Sequence, residues 1–396
     1  MRKQVLFILS LFLAINLHAE NKFVIEGRVA NVPDGLIVEL LRNEDNVGML
    51  VASDTLRNGK FRFEEETSGN GTDWMFLTAR TDNYYSMILY LWVRPGSSIR
   101  ISADNLLVYT WNVESDVPEQ QTRSKILASS RDLWNEYQIL DGDYDSLRRI
   151  KSGKYSGEEK KRQKARLDSM KQAKSMLQDR ISAVELEAMA KLDVDQAWML
   201  NYVNTAYMVN ISKNKDNLEK TKALYAYIPD VWRDSFSGRE AKNVLFPQHV
   251  VEVGEEAADA DLYDIDGKLW HLSAFRGRYV LIDFWSRGCG PCKMAIPEIK
   301  EAADKYKDRL VAVSISVDNE KVWKEHSATE GITWMNLSDK NLNTGIAAKY
   351  GVRGIPSFVL LSPDGKVVKK WSGYSKGVIE KYISEHIATA DVPSGK

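Results

Sequence analysis

The chain has 396 residues, 44% of them hydrophobic and 28% charged. That length exceeds one ordinary core, and the composition is that of a folded globular chain. The 54 basic and 55 acidic residues leave a net charge of −1. This removes the usual electrostatic ground for nucleic acid or an anionic membrane surface as partner.

The chain opens on "MRKQVLFILSLFLAINLHA". Arg2 and Lys3 precede an apolar run from Val5 to Leu17, broken by Ser10 and Asn16, and Ala19 is small enough for a cleavage site. Residues 1–19 therefore read as a cleavable signal peptide, too short for a typical spanning helix. An uncleaved anchor is the alternative. No cysteine follows the run to take a lipid. No later stretch is long and apolar enough for stable membrane insertion. The expected location is periplasmic, free or membrane-associated.

Residues 20–112 alternate in the manner of short strands. "KFVIEGRVA", "GLIVELLR", "GKFRFEEE", "MFLTAR", "SMILYLWVRPG" and "SIRISA" are separated by turn residues such as Asn58-Gly59 and Pro95-Gly96. That spacing predicts a small antiparallel sandwich or barrel. Residues 113–249 are poor in Gly and dense in charge, and read as helical. Leu167, Met170, Leu177, Ile181, Val184 and Ala188 follow one helix face, with Lys174 interrupting it. The charge run "GEEKKRQKAR" reads as a solvated helix start. Residues 250–390 alternate strands with helices. "RYVLIDFW" is a continuous apolar strand, "PCKMAIPEIKEAADKYK" a helix and "RLVAVSISV" a second buried strand. "SFVLLSPDGKVVKKW" is a hairpin around Pro363-Asp364-Gly365, and "KGVIEKYISEHIA" a last helix. The expected fold class is multidomain α+β: a sandwich, a helical region and an α/β domain with a mixed sheet. Residues 391–396 are a tail.

Both cysteines of the chain, Cys289 and Cys292, lie in "DFWSRGCGPCK". An exported protein can use disulfides as staples, but this pair closes too small a loop to constrain much. A zinc site would need two further ligands, and the five histidines form no tight pair. No metal or cofactor is expected. The redox reading has physical support. Between a strand and a helix, Cys289 meets the unpaired amides and dipole of the helix N-terminus, which favour a thiolate. Cys292, three residues on, is placed to attack Cys289 and release a mixed disulfide. Gly290 and Pro291 make the tight turn between them. Asp283 lies in an otherwise apolar strand. A carboxylate there is costly, its pKa should rise, and it is assigned as proton acceptor for Cys292 through water, the alternative being a structural Asp solvated by a cavity. A cis Ile355–Pro356 bond would lay backbone beside the sulfurs and offer an edge to substrate.

These residues carry a resemblance. "VGEEAADADLYDIDGKLWHLSAFRGRYVLIDFW", "CGPCK", "IPEIK" and "VRGIPSFVLLSPDGKV" occur in the order found in the TlpA/ResA group of thioredoxin-like envelope thiol-disulfide oxidoreductases. The β-rich region resembles the small domain that precedes such modules in Bacteroidetes-type proteins. The resemblance implies a thioredoxin-like fold over 250–390 and a cis Pro356. By likeness to thioredoxin, the Gly-Pro dipeptide implies the reducing direction. The sequence departs from the group twice. Gly288, preceded by Arg287, stands where the group has Trp, which should open the nucleophile and change the substrate surface. Ala295 stands where many members carry Glu. These departures argue against a narrow cytochrome-maturation role.

The expected catalytic residues are Cys289, Cys292, Asp283 and Pro356. Trp285, Arg287, Gly288, Gly290, Pro291 and Ile355 are expected to contact substrate. The expected partners are disulfide-containing envelope proteins and a membrane electron donor. Two competing functions are a binding scaffold whose cysteine pair only senses redox state, and a thiol peroxidase. The peroxidase would need an upstream proline, and none lies between Pro247 and Pro291.

Overall fold

The computed structural model describes residues 21–44, 47–81, 84–150 and 156–389. The expected signal peptide and the tail at 391–396 lie outside the described residues. The chain divides into two compact units, with one boundary after Leu245. The sequence reading draws two boundaries; the strands of 20–112 and the helices that follow share the first unit.

That unit begins with β1 (Lys22–Val29), β2 (Ile37–Glu44), β3 (Val47–Thr55), β4 (Lys60–Glu66), β5 (Asp73–Thr81), β6 (Tyr84–Tyr85), β7 (Leu89–Val93), β8 (Ser98–Ala103) and β9 (Asn112–Glu114). They form two sheets. One runs β4-β1-β8-β9; the other runs β3-β2-β5-β6, with β7 also paired to β5. Alternation places the inner faces. On β4, Phe61 and Phe63 are buried while Lys60, Arg62 and Glu64 are exposed. Phe23, Ile25, Ile99 and Ile101 of the first sheet share one core with Val38, Leu40, Met75, Leu77 and Leu91 of the second. This is a sandwich, its buried layer drawn from both sheets. Between β3 and β4, Asn58 and Gly59 have φ of 50° and 68°. A two-residue hairpin turn needs positive φ at both centres, which Asn-Gly tolerates best. Gly27 is required for another reason: a Cβ there would lie 1.9 Å from the Phe61 ring.

The helices are α1 (Pro118–Arg149), α2 (Gly157–Met189), α3 (Gln196–Ser212), α4 (Lys215–Tyr225), α5 (Asp230–Arg233) and α6 (Phe236–Leu245). The charge run at 157–166 is the start of α2, closed by a Ser156/Glu159 capping box. Lys174, the interruption in the α2 stripe, pairs with Asp141 and lies over the Tyr137 and Tyr144 rings. The apolar faces of α1, α2, α3 and α6 meet around Trp198, Tyr202 and Met189. Trp92 of β7 and Ala197 of α3 join the sandwich to the helices.

The second unit contains β10 (Leu262–Tyr263), β11 (Leu269–Trp270), β12 (Tyr279–Trp285), α7 (Gly290–Lys305), β13 (Leu310–Ser316), α8 (Glu320–His326), β14 (Met335–Leu337), α9 (Ile346–Lys349), β15 (Ser357–Leu361), β16 (Val367–Ser372) and α10 (Val378–Thr389). Its main sheet runs β14-β13-β12-β15-β16. β12 pairs in parallel with β13 and antiparallel with β15. The mixed sheet and helical crossovers are a thioredoxin-like fold. Every residue of β12 is buried, as a central strand covered on both faces requires. Its alternate residues feed two cores. Ile282 and Phe284 pack with Val313, Ile346 and Tyr350. Leu281 packs under α7 and α10, against Ala295, Ile299, Ile379 and Ile383.

The buried stripe of α7 is Cys292, Ala295, Ile299 and Ala302. From sequence, Cys292, Ile296, Ile299, Ala303 and Tyr306 also read as one apolar stripe, and of these Ile296, Ala303 and Tyr306 are only half-buried. Both sets alternate steps of three and four and lie on adjoining sides of the helix, so spacing does not separate them; the neighbouring sheet and α10 cover the side that carries Ala295 and Ala302. Glu298, on the same helix, caps α10. Its carboxylate accepts from the amides of Gly377, Ile379 and Glu380 at 3.0, 2.9 and 3.0 Å. A negative group satisfying first-turn amides acts as both hydrogen-bond acceptor and dipole partner. Glu298→Ala is expected to lower the stability of the second unit by about 2 kcal/mol and to speed amide exchange at 377–380. A urea midpoint and exchange rates matching the parent chain would refute that role.

Candidate active site

β12 ends at Trp285, and the loop of Ser286, Arg287 and Gly288 leads to α7. Cys289 is the N-cap of that helix. Its backbone is extended, and its sulfur accepts from the Cys292 amide at 3.1 Å. The first amides of a helix have no partner within it and carry its positive dipole end. A sulfur in that position is stabilised as an anion once the bond to its partner is broken. Pro291 sits in the first turn, where its missing N–H forfeits nothing.

Cys289 and Cys292 form a disulfide with Cα atoms 5.2 Å apart. Cys289 is 8% exposed and Cys292 2%, so an incoming disulfide meets Cys289 first. Gly288, Gly290, Pro291 and Arg287 are exposed around it. The Arg287 amide donates to Asp318 Oδ2 at 2.8 Å, which ties the loop to the end of β13. A Cβ at Gly288 would meet nothing within 4 Å. The opening in front of Cys289 therefore follows from the residue at 288, since the fold has room for a side chain.

The Ile355–Pro356 peptide is cis. Ile355 packs against the cysteine cluster, which brings this turn beside the disulfide. Pro356 is buried, and β15 starts at the next residue.

Trp285 does not lie on the substrate surface expected for it. It is 2% exposed and packs against both cysteines from inside, together with Trp323. The strand that carries it is covered on both faces, so its last side chain points into the protein. Both indoles donate to Asn336 Oδ1, from Trp285 at 3.3 Å and from Trp323 at 3.2 Å. Sequence reasoning missed Trp323 and Asn336. The strand register that brings Asn336 to the site leaves no local pattern to find.

Asp283 is 1% exposed. It lies between Leu281 and Trp285 in the alternation of β12, on the face covered by α7. Ser314 Oγ donates to its Oδ2 at 3.1 Å. Its Oδ1 accepts no hydrogen bond among the described residues. Burial pushes this carboxyl up to about 7, and the bond from Ser314 opposes the rise. Among the described residues, no group of three His, Cys, Asp or Glu side chains converges as a metal site would need.

The raised pKa has a stability consequence. Folded, Asp283 holds its proton to about pH 7, against an ordinary value of 3.8. The folded state binds more protons over that interval, so stability falls as pH rises from about 4 to about 7. Above that interval the whole penalty is present, on the order of 4 kcal/mol. Asp283→Asn does not titrate. It is expected to exceed the parent in stability by about 2–4 kcal/mol at pH 8 and to match it near pH 4, in urea denaturation. A difference that does not vary with pH would reject the assignment of the titration to Asp283.

The AhpC/TSA family matches residues 253–370, wholly within the second unit. The thiol-disulfide oxidoreductase ResA of Halalkalibacterium halodurans is 26% identical over 145 residues, covering 36% of this chain and 80% of that protein. A thioredoxin of Chlorobaculum thiosulfatiphilum is 34% identical over 109 residues, covering 27% of this chain and 79% of that protein. Among solved structures, the thioredoxin domain of a thiol-disulfide oxidoreductase from Bacteroides vulgatus is 27% identical. It covers 34% of this chain and 99% of that one, with a TM-score of 0.31. Through its second unit, the chain belongs to the thioredoxin-like thiol-disulfide oxidoreductases.

Proposed function

We propose that this chain is an envelope protein-disulfide oxidoreductase that reduces or exchanges disulfides of exported proteins through Cys289 and Cys292. The observation that carries the reading is the asymmetry of the pair. Cys289 is the more exposed sulfur and sits at the helix N-terminus, while Cys292 is deeper and follows it by three residues. An envelope location is supported by the leader-like residues 1–19. Among the described residues, no helix is long and apolar enough to cross a membrane.

The reaction starts from the dithiol. The Cys289 thiolate attacks one sulfur of the substrate disulfide and expels the other as a thiolate. The turn at Ile355–Pro356 offers backbone to the docked segment, and Arg287, Gly288, Gly290 and Pro291 form the surface around it. Trp285 supports that surface from beneath. Cys292 then loses its proton to Asp283 and attacks Cys289. The second substrate sulfur leaves and is protonated. Two electrons have passed to the substrate, and the chain ends in the oxidised state described above. Its return to the dithiol takes two electrons and two protons from a donor dithiol, for which a membrane electron-transfer protein is the fitting class.

Cys292→Ser is expected to trap mixed disulfides between Cys289 and envelope proteins, visible on non-reducing gels and absent in Cys289→Ser. The pair's reduction potential, equilibrated in dithiothreitol buffers, is expected near −270 mV, roughly that of a thioredoxin. A value close to −120 mV would make the chain an oxidant and reverse the direction. Partner binding that survives with both cysteines replaced by serine, and no trapped species, would favour the scaffold reading.

A further inference from the structure

Asp283, Ser314 and Asn336 lie opposite one another on adjacent strands. Asp283 of β12 pairs with Ser314 of β13, and Ser314 pairs with Asn336 of β14. Residues opposite one another share a face. The three form a polar row across the sheet face that α7 covers. Ser314 is fully buried. Its oxygen accepts from Trp334 Nε1 at 2.9 Å. An indole N–H can only donate, so it occupies one lone pair of the hydroxyl and turns the O–H elsewhere. Asp283 Oδ2 lies 3.1 Å away and takes that proton in a hydrogen bond. The other oxygen, Oδ1, is buried and accepts no hydrogen bond among the described residues.

We propose that Ser314, oriented by Trp334, is a positioning residue for thiol-disulfide exchange. It holds Oδ2 of Asp283 and leaves Oδ1 as the oxygen that takes the Cys292 proton. The inference rests on the reading of Asp283 as proton acceptor. In the resolving step, the S–H bond of Cys292 breaks and its proton passes to Oδ1, directly or through water. The freed sulfur electron pair forms the bond to Cys289, and the Cys289–substrate bond breaks with its electrons on the substrate sulfur. No oxidant beyond the substrate disulfide is needed. Ser314 bonds the carboxylate form, so it keeps ionisable a group that burial alone favours in the neutral form.

The other elements packed on this face leave the assignment simple. α7 presents Cys292, Ala295 and Ile299, α10 presents Ile379 and Ile383, and β15 places Phe358 opposite Asp283. Cys292 is the ionisable group among them. Glu298 is committed to the α10 amides and Lys293 to Glu330.

The test is the titration of Asp283 in the full oxidised chain, where the cysteines carry no proton. It is read from carbon-13-labelled aspartate by NMR, with Asp283→Asn assigning the signal. The parent midpoint is expected at about 7. Ser314→Ala is expected to raise it by about one pH unit, and Ser314→Thr to return it. Trp334→Phe keeps a ring but frees the hydroxyl rotor, and should raise the midpoint by less. In the reduced chain, Ser314→Ala should move the pH profile of mixed-disulfide resolution the same way. An unchanged midpoint in Ser314→Ala overturns the proposal; if that variant does not fold, an unchanged midpoint in Trp334→Phe does so. Asp283→Asn separates the two layers. If it resolves mixed disulfides with the parent pH profile, the proton-acceptor reading fails and this inference with it. If it alters the profile while Ser314→Ala leaves it unchanged, only the role of Ser314 falls.

Discussion

A carboxylate in the middle of a fully buried strand is the constraint around which the second unit is arranged. Asp283 has apolar neighbours on both sides along β12, Ile282 and Phe284, and is itself 1% exposed. Among the described residues, one hydroxyl is its hydrogen-bond partner. Its desolvation takes a sizeable part of the roughly 5–15 kcal/mol that separates folded from unfolded domains. The two apolar layers on either face of the sheet must offset it. Those layers also enclose β12 on both faces, and the cysteine pair follows directly from the end of β12.

The geometry of the pair follows from that mounting. The strand delivers Trp285 inward and the loop outward, and α7 begins immediately at Cys289. One helix thereby serves two purposes. Its N-terminus supplies the field at the outer sulfur, and its buried stripe seals the carboxylate from water. Glu298 locks the same helix to α10 through backbone amides. Asn336 ties together the two indoles that floor the disulfide. The floor is apolar on its upper side and hydrogen-bonded underneath. Trp is suited to this, having a large apolar body and a single donor.

Legibility in the sequence ran along the range of the interactions. The strand "YVLIDFW", the Asn58-Gly59 turn, the cysteine spacing and the misplaced aspartate are local, and each could be read from a few neighbouring residues. The sandwich was legible because alternation reports which face is buried. What the sequence hid depends on register. Ser314 and Asn336 reach Asp283 and the indoles only because β12, β13 and β14 align as they do. A serine in "VAVSISV" is otherwise unremarked. The exact stripe of α7 was hidden because Ile296 and Ala295 are both apolar, and only the neighbouring sheet selects between them. Trp285 was misplaced for a related reason. Adjacency to the cysteines in sequence says nothing about the side of the strand on which a side chain lies.

The first unit holds another buried carboxylate whose surroundings differ from those of Asp283. Glu185 is 5% exposed, and burial pushes its carboxyl up, as it does for Asp283. Ser130 Oγ and Trp134 Nε1 both donate to its Oε1 at 2.7 Å. Arg123, itself buried, lowers the pKa by its charge and lies over the Tyr109 ring with its guanidinium carbon 5.0 Å from the centroid. Glu185 is therefore surrounded by groups that stabilise its anion and fix its place among the helices. Asp283 is pushed up by burial and opposed by one hydrogen bond, its other oxygen accepts none among the described residues, and it sits in the strand that leads to a disulfide. Similar desolvation acts on both. A group left under-satisfied and near the middle of the pH range gains most from accepting a proton, which is the property that the proposed role toward the Cys292 thiol requires.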